Sequence, residues 1–181
     1  MTSICRDIER VLISEKEIQN RVRELGKQIS EDYKGKRPIL VAVLRGAIVF
    51  LCDLMRYMSI PVTVDFLSVS SYSGHIQTGV VKILKDLDEN IEQRHVILIE
   101  DIVDTGLTLS YIIKTLETRN PANIGVCALL DKRSRRVVDV PVDYVGFVIP
   151  DEFVVGYGMD YNQKYRNLPF IGVLRREILQ G

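Results

Sequence analysis

Residues 96–109 read VILIEDIVDTGLTL, and the way this stretch divides decides the fold. VILI is a solid apolar run, the pattern of a strand buried on both faces. TGLT at residues 105–108 leads into the helical pattern LTLSYIIKTLET (107–118) and has the residues of an anion cradle. Three carboxylates, Glu100, Asp101 and Asp104, stand between the two. Acids beside an anion cradle would repel its ligand, so the ligand served here has to want both kinds of partner.

The same alternation recurs outward from this strand–turn–helix. PILVAVL (38–44) is a second short apolar run, and RGAIVFLCDLMRYM (45–58) reads as the helix after it. VTVDFLSVS (62–70) and VVKILKD (80–86) read as strands on either side of the polar, turn-prone SYSGHIQTG (71–79), a hairpin with a long tip. NIGVCALL (123–130) and YVGFVI (144–149) add two more strands. Upstream, Ser14 and Glu17 hold the positions of a capping box, with Ile13 and Ile18 as its hydrophobic staple. Ile18, Val22, Leu25 and Ile29 then give one buried helical face that ends near Gly35. Alternating strands and helices predict an α/β fold with a mainly parallel central sheet. Ligands in such sheets sit beyond the carboxyl ends of the strands, which brings Leu44–Gly46, Glu100–Thr108 and Asp131–Lys132 to one edge.

The 181 residues suit one domain with a substantial core, and no repeat or Pro/Gly/Ser linker divides them. The net charge is zero, so no global basic field recruits nucleic acid or anionic membrane. No long uncharged apolar run predicts a membrane-spanning helix, and the N-terminal MTSICRDIER has charges where a signal peptide needs its apolar centre. Cys5, Cys52 and Cys127 lie far apart without a CxxC pair. Cys52 and Cys127 sit among apolar residues and read as small core side chains, in keeping with a reducing, cytoplasmic setting. His75 and His95 have no metal-ligand spacing.

In EDIVDTGLT, Gly106 lets the backbone approach a ligand closely. Successive N–H groups and the helix N-terminus favour phosphate, and the hydroxyls of Thr105 and Thr108 add donors. Many helices begin with Thr and Gly merely to satisfy their own donors, so this feature alone has two readings. GxxxxGK[ST] is absent, which excludes a nucleoside-triphosphate P-loop and leaves a lone terminal phosphate. The carboxylates of Glu100 and Asp101 can accept hydrogen bonds from a vicinal diol and place negative charge where positive charge develops in a transition state. Asp104 can exchange a proton with a nucleophile. A magnesium-binding or merely solvated acidic turn is the alternative.

The order acidic-acidic-apolar-apolar-Asp-Thr-Gly-x-Thr after an apolar strand resembles the phosphoribosyl pyrophosphate signature of type I phosphoribosyltransferases. From about residue 14 to residue 174 the chain resembles the purine-salvage hypoxanthine-guanine phosphoribosyltransferase family. The implied fold is the type I phosphoribosyltransferase fold: a single domain over 1–181, a small hood over the base from N-terminal residues and roughly 150–181, and a mobile lid at about 70–80. The implied reaction transfers the 5-phosphoribosyl group of phosphoribosyl pyrophosphate to N9 of hypoxanthine or guanine, giving IMP or GMP and pyrophosphate. Anion cradle and acids then serve opposite ends of one molecule, since the sugar becomes cationic as pyrophosphate departs.

The resemblance also implies residue roles. Ribose and 5′-phosphate fall to Glu100, Asp101, Asp104, Thr105, Gly106, Leu107 and Thr108, with Asp104 as catalytic acid or base at N7. Pyrophosphate falls to Leu44, Arg45, Gly46 and Arg166, the first loop often carrying a non-proline cis peptide before its basic residue. Many relatives have lysine in place of Arg45 and a second glycine in place of Ala47, and Leu107 replaces a lysine found in some. Lys132 would bond the 6-oxo group, Phe153 lie over the purine face, and Val154 offer backbone groups to the purine edge. Ser71 and Tyr72 would belong to the lid. Magnesium would be held by Glu100, Asp101 and Asp160. A homodimer or homotetramer is expected, the helix after RGA being one candidate contact. The other basic residues of LLDKRSRR, Arg133, Arg135 and Arg136, read as a solvated turn or a subunit contact. The rival from another class is a phosphoribosyl-pyrophosphate sensor that binds nucleic acid without catalysis; it calls for a DNA-binding extension or a broad basic face.

Overall fold

The computed structural model describes residues 6–71 and 81–179. Six strands form the main sheet: β2 (Ile39–Leu44), β3 (Thr63–Ser71), β4 (Val81–Lys85), β5 (His95–Val103), β6 (Asn123–Asp131) and β7 (Tyr144–Val148), in the order β4-β3-β2-β5-β6-β7. All neighbours run parallel except the β3–β4 hairpin at the edge. The helices between them are α2 (Ile48–Arg56) and α3 (Leu107–Glu117), preceded by α1 (Glu15–Asp32).

The unbroken apolar runs of β2 and β5 follow from cover on both faces. Leu40, Ala42, Ile97 and Ile99 pack with Ile18, Val22, Leu25 and Ile29 of α1 and Phe50, Leu51 and Leu54 of α2. The alternate residues Ile39, Val41, Val43, Val96 and Leu98 pack with Leu109, Ile112 and Leu116 of α3 on the other face, as a period of two requires. α1 starts where expected: the Ser14 hydroxyl accepts from the Glu17 N–H while the Glu17 carboxylate accepts from the Ser14 N–H, and Ile13 and Ile18 are both buried. Gly35, at φ +75°, turns the chain away after it.

From β2 the chain crosses to β3 on one side, whereas β5 lies on the other and leads on to β6. The gap between β2 and β5 is therefore a topological switch point, where loops diverge and leave a crevice at the carboxyl ends of the strands. The loops at that crevice are 45–47 and 104–106.

A second, antiparallel sheet joins β1 (Ile8–Ile13), β9 (Ile171–Leu174) and β8 (Val154–Val155) in the order β1-β9-β8. A short helix α4 (Arg176–Leu179) follows β9. The small sheet shares the core of α1 and α2 through Ile13, Val154, Ile171 and Val173. Its strands carry no clean alternation, and the pattern of the sequence did not reveal them. Cys127 is buried as expected, but Cys52 is exposed. It lies between the inward-facing Leu51 and Leu54 and, with Ile48 and Met55, falls on the outer face of α2. An apolar neighbourhood in sequence says nothing of facing when the helical period is 3.6.

Candidate active site

β5 runs to Val103, so Glu100 and Asp101 lie within the strand rather than in the turn after it. Consecutive strand residues face opposite ways, and the two acids line different cavities. Glu100 lines one of about 170 Å³ with Thr105, Gly106, Thr108 and Leu109. Asp101 lines one of about 370 Å³ with Lys132, Arg135, Asp151, Phe153, Val154, Met159 and Asp160. Ile102 and Asp104 line both. Asp104 thus stands at the junction of a small loop cavity and a larger mixed one.

The small cavity is built from the start of α3. Gly106 is its N-cap at φ +83°, a left-handed backbone that favours glycine, and no side chain caps the helix. The Leu107 N–H donates to the Thr105 hydroxyl at 3.4 Å, and Leu107 itself is half-exposed. Residues 136–140 brace the loop from behind. Val137 and Val138 donate their N–H groups to the Thr105 carbonyl at 2.9 and 3.1 Å, and a Cβ on Gly106 would lie 2.5 Å from the Val138 carbonyl oxygen. Burial pushes the Glu100 carboxyl well above the usual carboxylate range, with the charge of Asp101 adding to it. Burial likewise pushes Asp101 up to about 6, against hydrogen bonds and Arg166, which favour its charged form, and with Asp160, which does not.

In the larger cavity Lys132 is buried at the end of β6, its N–H donating to the Val103 carbonyl. Its ammonium lies 3.8 Å from Asp151 Oδ1. Phe153 is exposed and packs edge-on against Tyr161, with ring centres 5.5 Å apart, so it is not a core residue. Val154 is buried in β8. The basic run after Lys132 differs from expectation. Arg133 and Arg136 both pair with the buried Asp131, and the Arg136 side chain is only 15% exposed. Arg135 reaches into the cavity wall, with Nε 3.1 Å from Asp104 Oδ1 and Nη1 3.4 Å from Asp151 Oδ1. A run of basic residues gives no hint of which one turns inward. The facing of Arg135 comes from the short 3-10 turn Arg133–Arg135.

The third part lies after β2. The Leu44–Arg45 peptide is cis. At Gly46 a Cβ would lie 1.6 Å from Asp101 Oδ2, and the carbonyl of Gly46 lies 2.1 Å from where a Cβ on Gly158 would stand. Residues 156–168 cross over this loop. Arg166 donates to the Gly158 carbonyl at 2.7 Å and pairs with Asp160 at 2.6 Å. The Gln163 amide oxygen accepts from Arg45 at 3.1 Å and from Arg166 at 3.3 Å, and its backbone N–H donates to Asp160 Oδ2 at 2.8 Å. Gln163 adopts φ +63°, and a glutamine in a polar loop has no spacing signal by which the sequence would mark it. Arg45, Gly46, Arg166 and Asp160 therefore converge, although more than a hundred residues separate the two pairs in sequence. Of the two lid residues, Ser71 ends β3, and Tyr72 lies outside the described residues, as does most of the expected lid.

The chain is similar to known proteins in sequence and in fold. The phosphoribosyl transferase domain model matches residues 14–162. A hypoxanthine-guanine phosphoribosyltransferase of Streptococcus thermophilus is 48% identical over 174 residues, covering 96% of this chain and 97% of that protein. The bifunctional protein TilS/HprT of Listeria monocytogenes is 48% identical over 97% of this chain, which spans only 27% of that protein's length. The crystal structure of a hypoxanthine phosphoribosyltransferase from Staphylococcus aureus superposes with a TM-score of 0.94 at 45% identity, covering 98% of this chain and 97% of that one.

Proposed function

The chain belongs to the hypoxanthine-guanine phosphoribosyltransferase family, and we propose on that premise that it salvages purines. It transfers the 5-phosphoribosyl group of phosphoribosyl pyrophosphate to N9 of hypoxanthine or guanine, releasing pyrophosphate with IMP or GMP. The observation that carries this reading is the junction at Asp104. There a phosphate-sized loop cavity meets a larger one that holds a buried lysine and an exposed aromatic ring.

Each part of the site has a task in that reaction. The open N-terminus of α3, with Thr105, Gly106, Leu107 and Thr108, binds the 5′-phosphate. Glu100, from the loop cavity, and Asp101, from the larger one, hold the ribose where the two cavities meet, and their charge opposes the cation that its ring becomes. Leu44, Arg45, Gly46 and Arg166 receive the pyrophosphate, whose bond to C1′ breaks as the bond from N9 forms. Asp104 takes the purine's imidazole proton at N7. Lys132 donates to the 6-oxo group, and a 6-amino group would leave that buried donor unpaired. Phe153 covers the purine face, and the Val154 backbone meets its edge. The sheet β1-β9-β8 serves as the hood, and 70–80 as the lid that excludes water.

Among the described residues no three Asp, Glu, His or Cys side chains converge as a metal cage. Magnesium needs no such cage: it takes one or two carboxylates, and substrate phosphates and water complete its shell. Asp101 and Asp160, which share the larger cavity, fit that donor set; Glu100, expected as a third ligand, lines the loop cavity instead. When bound, the ion neutralises charge on the leaving pyrophosphate. Among the described residues no helix is long and apolar enough to cross a membrane; a cytoplasmic location goes with this reading, without nucleic-acid or membrane partners. The outer face of α2, with Ile48, Cys52 and Met55, is the assigned contact of a homodimer or homotetramer.

The test is a spectrophotometric assay with magnesium, phosphoribosyl pyrophosphate and each of hypoxanthine, guanine, xanthine and adenine. Product from oxopurines and none from adenine is expected. Tight binding of phosphoribosyl pyrophosphate with no product from any base would refute catalysis and favour a sensor.

A further inference from the structure

The segment that crosses the Arg45–Gly46 loop is held by two tyrosines: Tyr165 donates to Asp7 at 2.8 Å and packs with Ile8, Val155 and Leu174, whereas Tyr157 ties the segment to α2 beside that loop. After β8 the chain passes through Gly156, Tyr157 and Gly158, at φ +100°, +50° and +101°. Tyr157, although not glycine, is left-handed and only 3% exposed. Its hydroxyl donates to Asp53 Oδ2 on α2 at 2.6 Å. The same oxygen accepts from Gln19 of α1 at 2.8 Å, and Gln19 accepts from Tyr57 at 3.2 Å. One backbone step later Gly158 meets Gly46, and its carbonyl holds the guanidinium of Arg166.

Upstream and downstream residues are held differently. Phe153 and Val154 are tied to β9 by the Leu174 N–H donating to the Phe153 carbonyl and by pairing of Val154 with Val173. Asp160, Gln163 and Arg166 lie outside the named strands; their neighbours Tyr165 and Leu168 pack on the small sheet, while Arg166 itself is tied to the crossing by the Gly158 N–H donating to its carbonyl and by its own guanidinium on the Gly158 carbonyl. We propose that Tyr157 and Asp53 are positioning residues for the pyrophosphate half of the substrate, aiming Arg166 and Asp160 through the crossing of Gly158 over Gly46. The inference rests on the reading of that loop given under the proposed function. It also makes α2 the element that sets the pyrophosphate site while its opposite face points outward.

The experiment compares the wild type with Tyr157→Phe, Asp53→Ala, Asp53→Asn and the Tyr157→Phe/Asp53→Ala double variant. Calorimetry gives the Kd of magnesium pyrophosphate, and steady-state kinetics gives KM for each substrate. Tyr157→Phe and Asp53→Ala should each weaken magnesium pyrophosphate about fivefold, the worth of one hydrogen bond. KM for phosphoribosyl pyrophosphate should rise in step, while KM for hypoxanthine stays within about twofold, because base contacts are tied to β9. Asp53→Asn keeps an acceptor oxygen and should behave as wild type, and the double variant should be no weaker than either single. Equal losses for both substrates, additive effects, or unchanged pyrophosphate binding in Tyr157→Phe would each overturn the inference. A wild type that binds magnesium pyrophosphate but transfers nothing would refute the catalytic reading, while the calorimetry still decides the anchor. A wild type that does not bind magnesium pyrophosphate would overturn both.

Discussion

Asp101 occupies the space that any side chain at position 46 would need. Gly46→Ala therefore has to turn that carboxylate away, and the geometry shared by the acid and the Arg45 loop goes with it. KM for phosphoribosyl pyrophosphate should rise at least about tenfold, with a loss of stability of about 1–3 kcal/mol from overpacking; kinetics and thermal melting would check both. Asp104 sits between the two cavities with Arg135 beside it, so its replacement should separate chemistry from binding. Asp104→Asn should lower kcat about a hundredfold or more and leave KM for phosphoribosyl pyrophosphate nearly unchanged. An unchanged kcat would remove it from the proton transfer.

At the scale of elements, local signals carried furthest where periodicity and capping agree. The capping box of α1 was legible in Ser14 and Glu17 alone, and its contribution is local. Ser14→Ala should cost about 1 kcal/mol, seen as a drop in melting temperature without any change in either KM. The strands of the main sheet were equally legible, because burial on both faces leaves an unbroken apolar run. β8, of only two residues, and β1, whose middle is exposed, have no such run; they exist through pairing with β9. The acids and the glycine turn at residues 100–108 could be read from one stretch. The facing of Arg135, the bridge of Gln163 and the anchor at Tyr157 could not, since each depends on a partner distant in the chain.

For the whole molecule, the buried acids make stability depend on pH. Asp101 is pushed from 3.8 to about 6, so between about pH 4 and pH 6 the folded chain holds a proton that the unfolded chain has lost. Its contribution is fully present below the unfolded value and lost as pH rises through the folded one. Glu100, raised well above its ordinary value for the same reason, extends the slope upward. In metal-free buffer Asp101→Asn should gain stability relative to wild type as pH rises across this window, by on the order of 2 kcal/mol. Melting temperatures of the two proteins at several pH values would show a constant difference if burial did not perturb Asp101. The meeting of Gly46 with Gly158 has a consequence of another kind. Main chain touches main chain there, so the distance between the two loops is independent of which side chains decorate either one. Random substitution can rework the rest of both loops and retune substrate preference while that spacing persists, but a single step at either glycine has no neutral path. The joint is a fixed point around which the site can evolve.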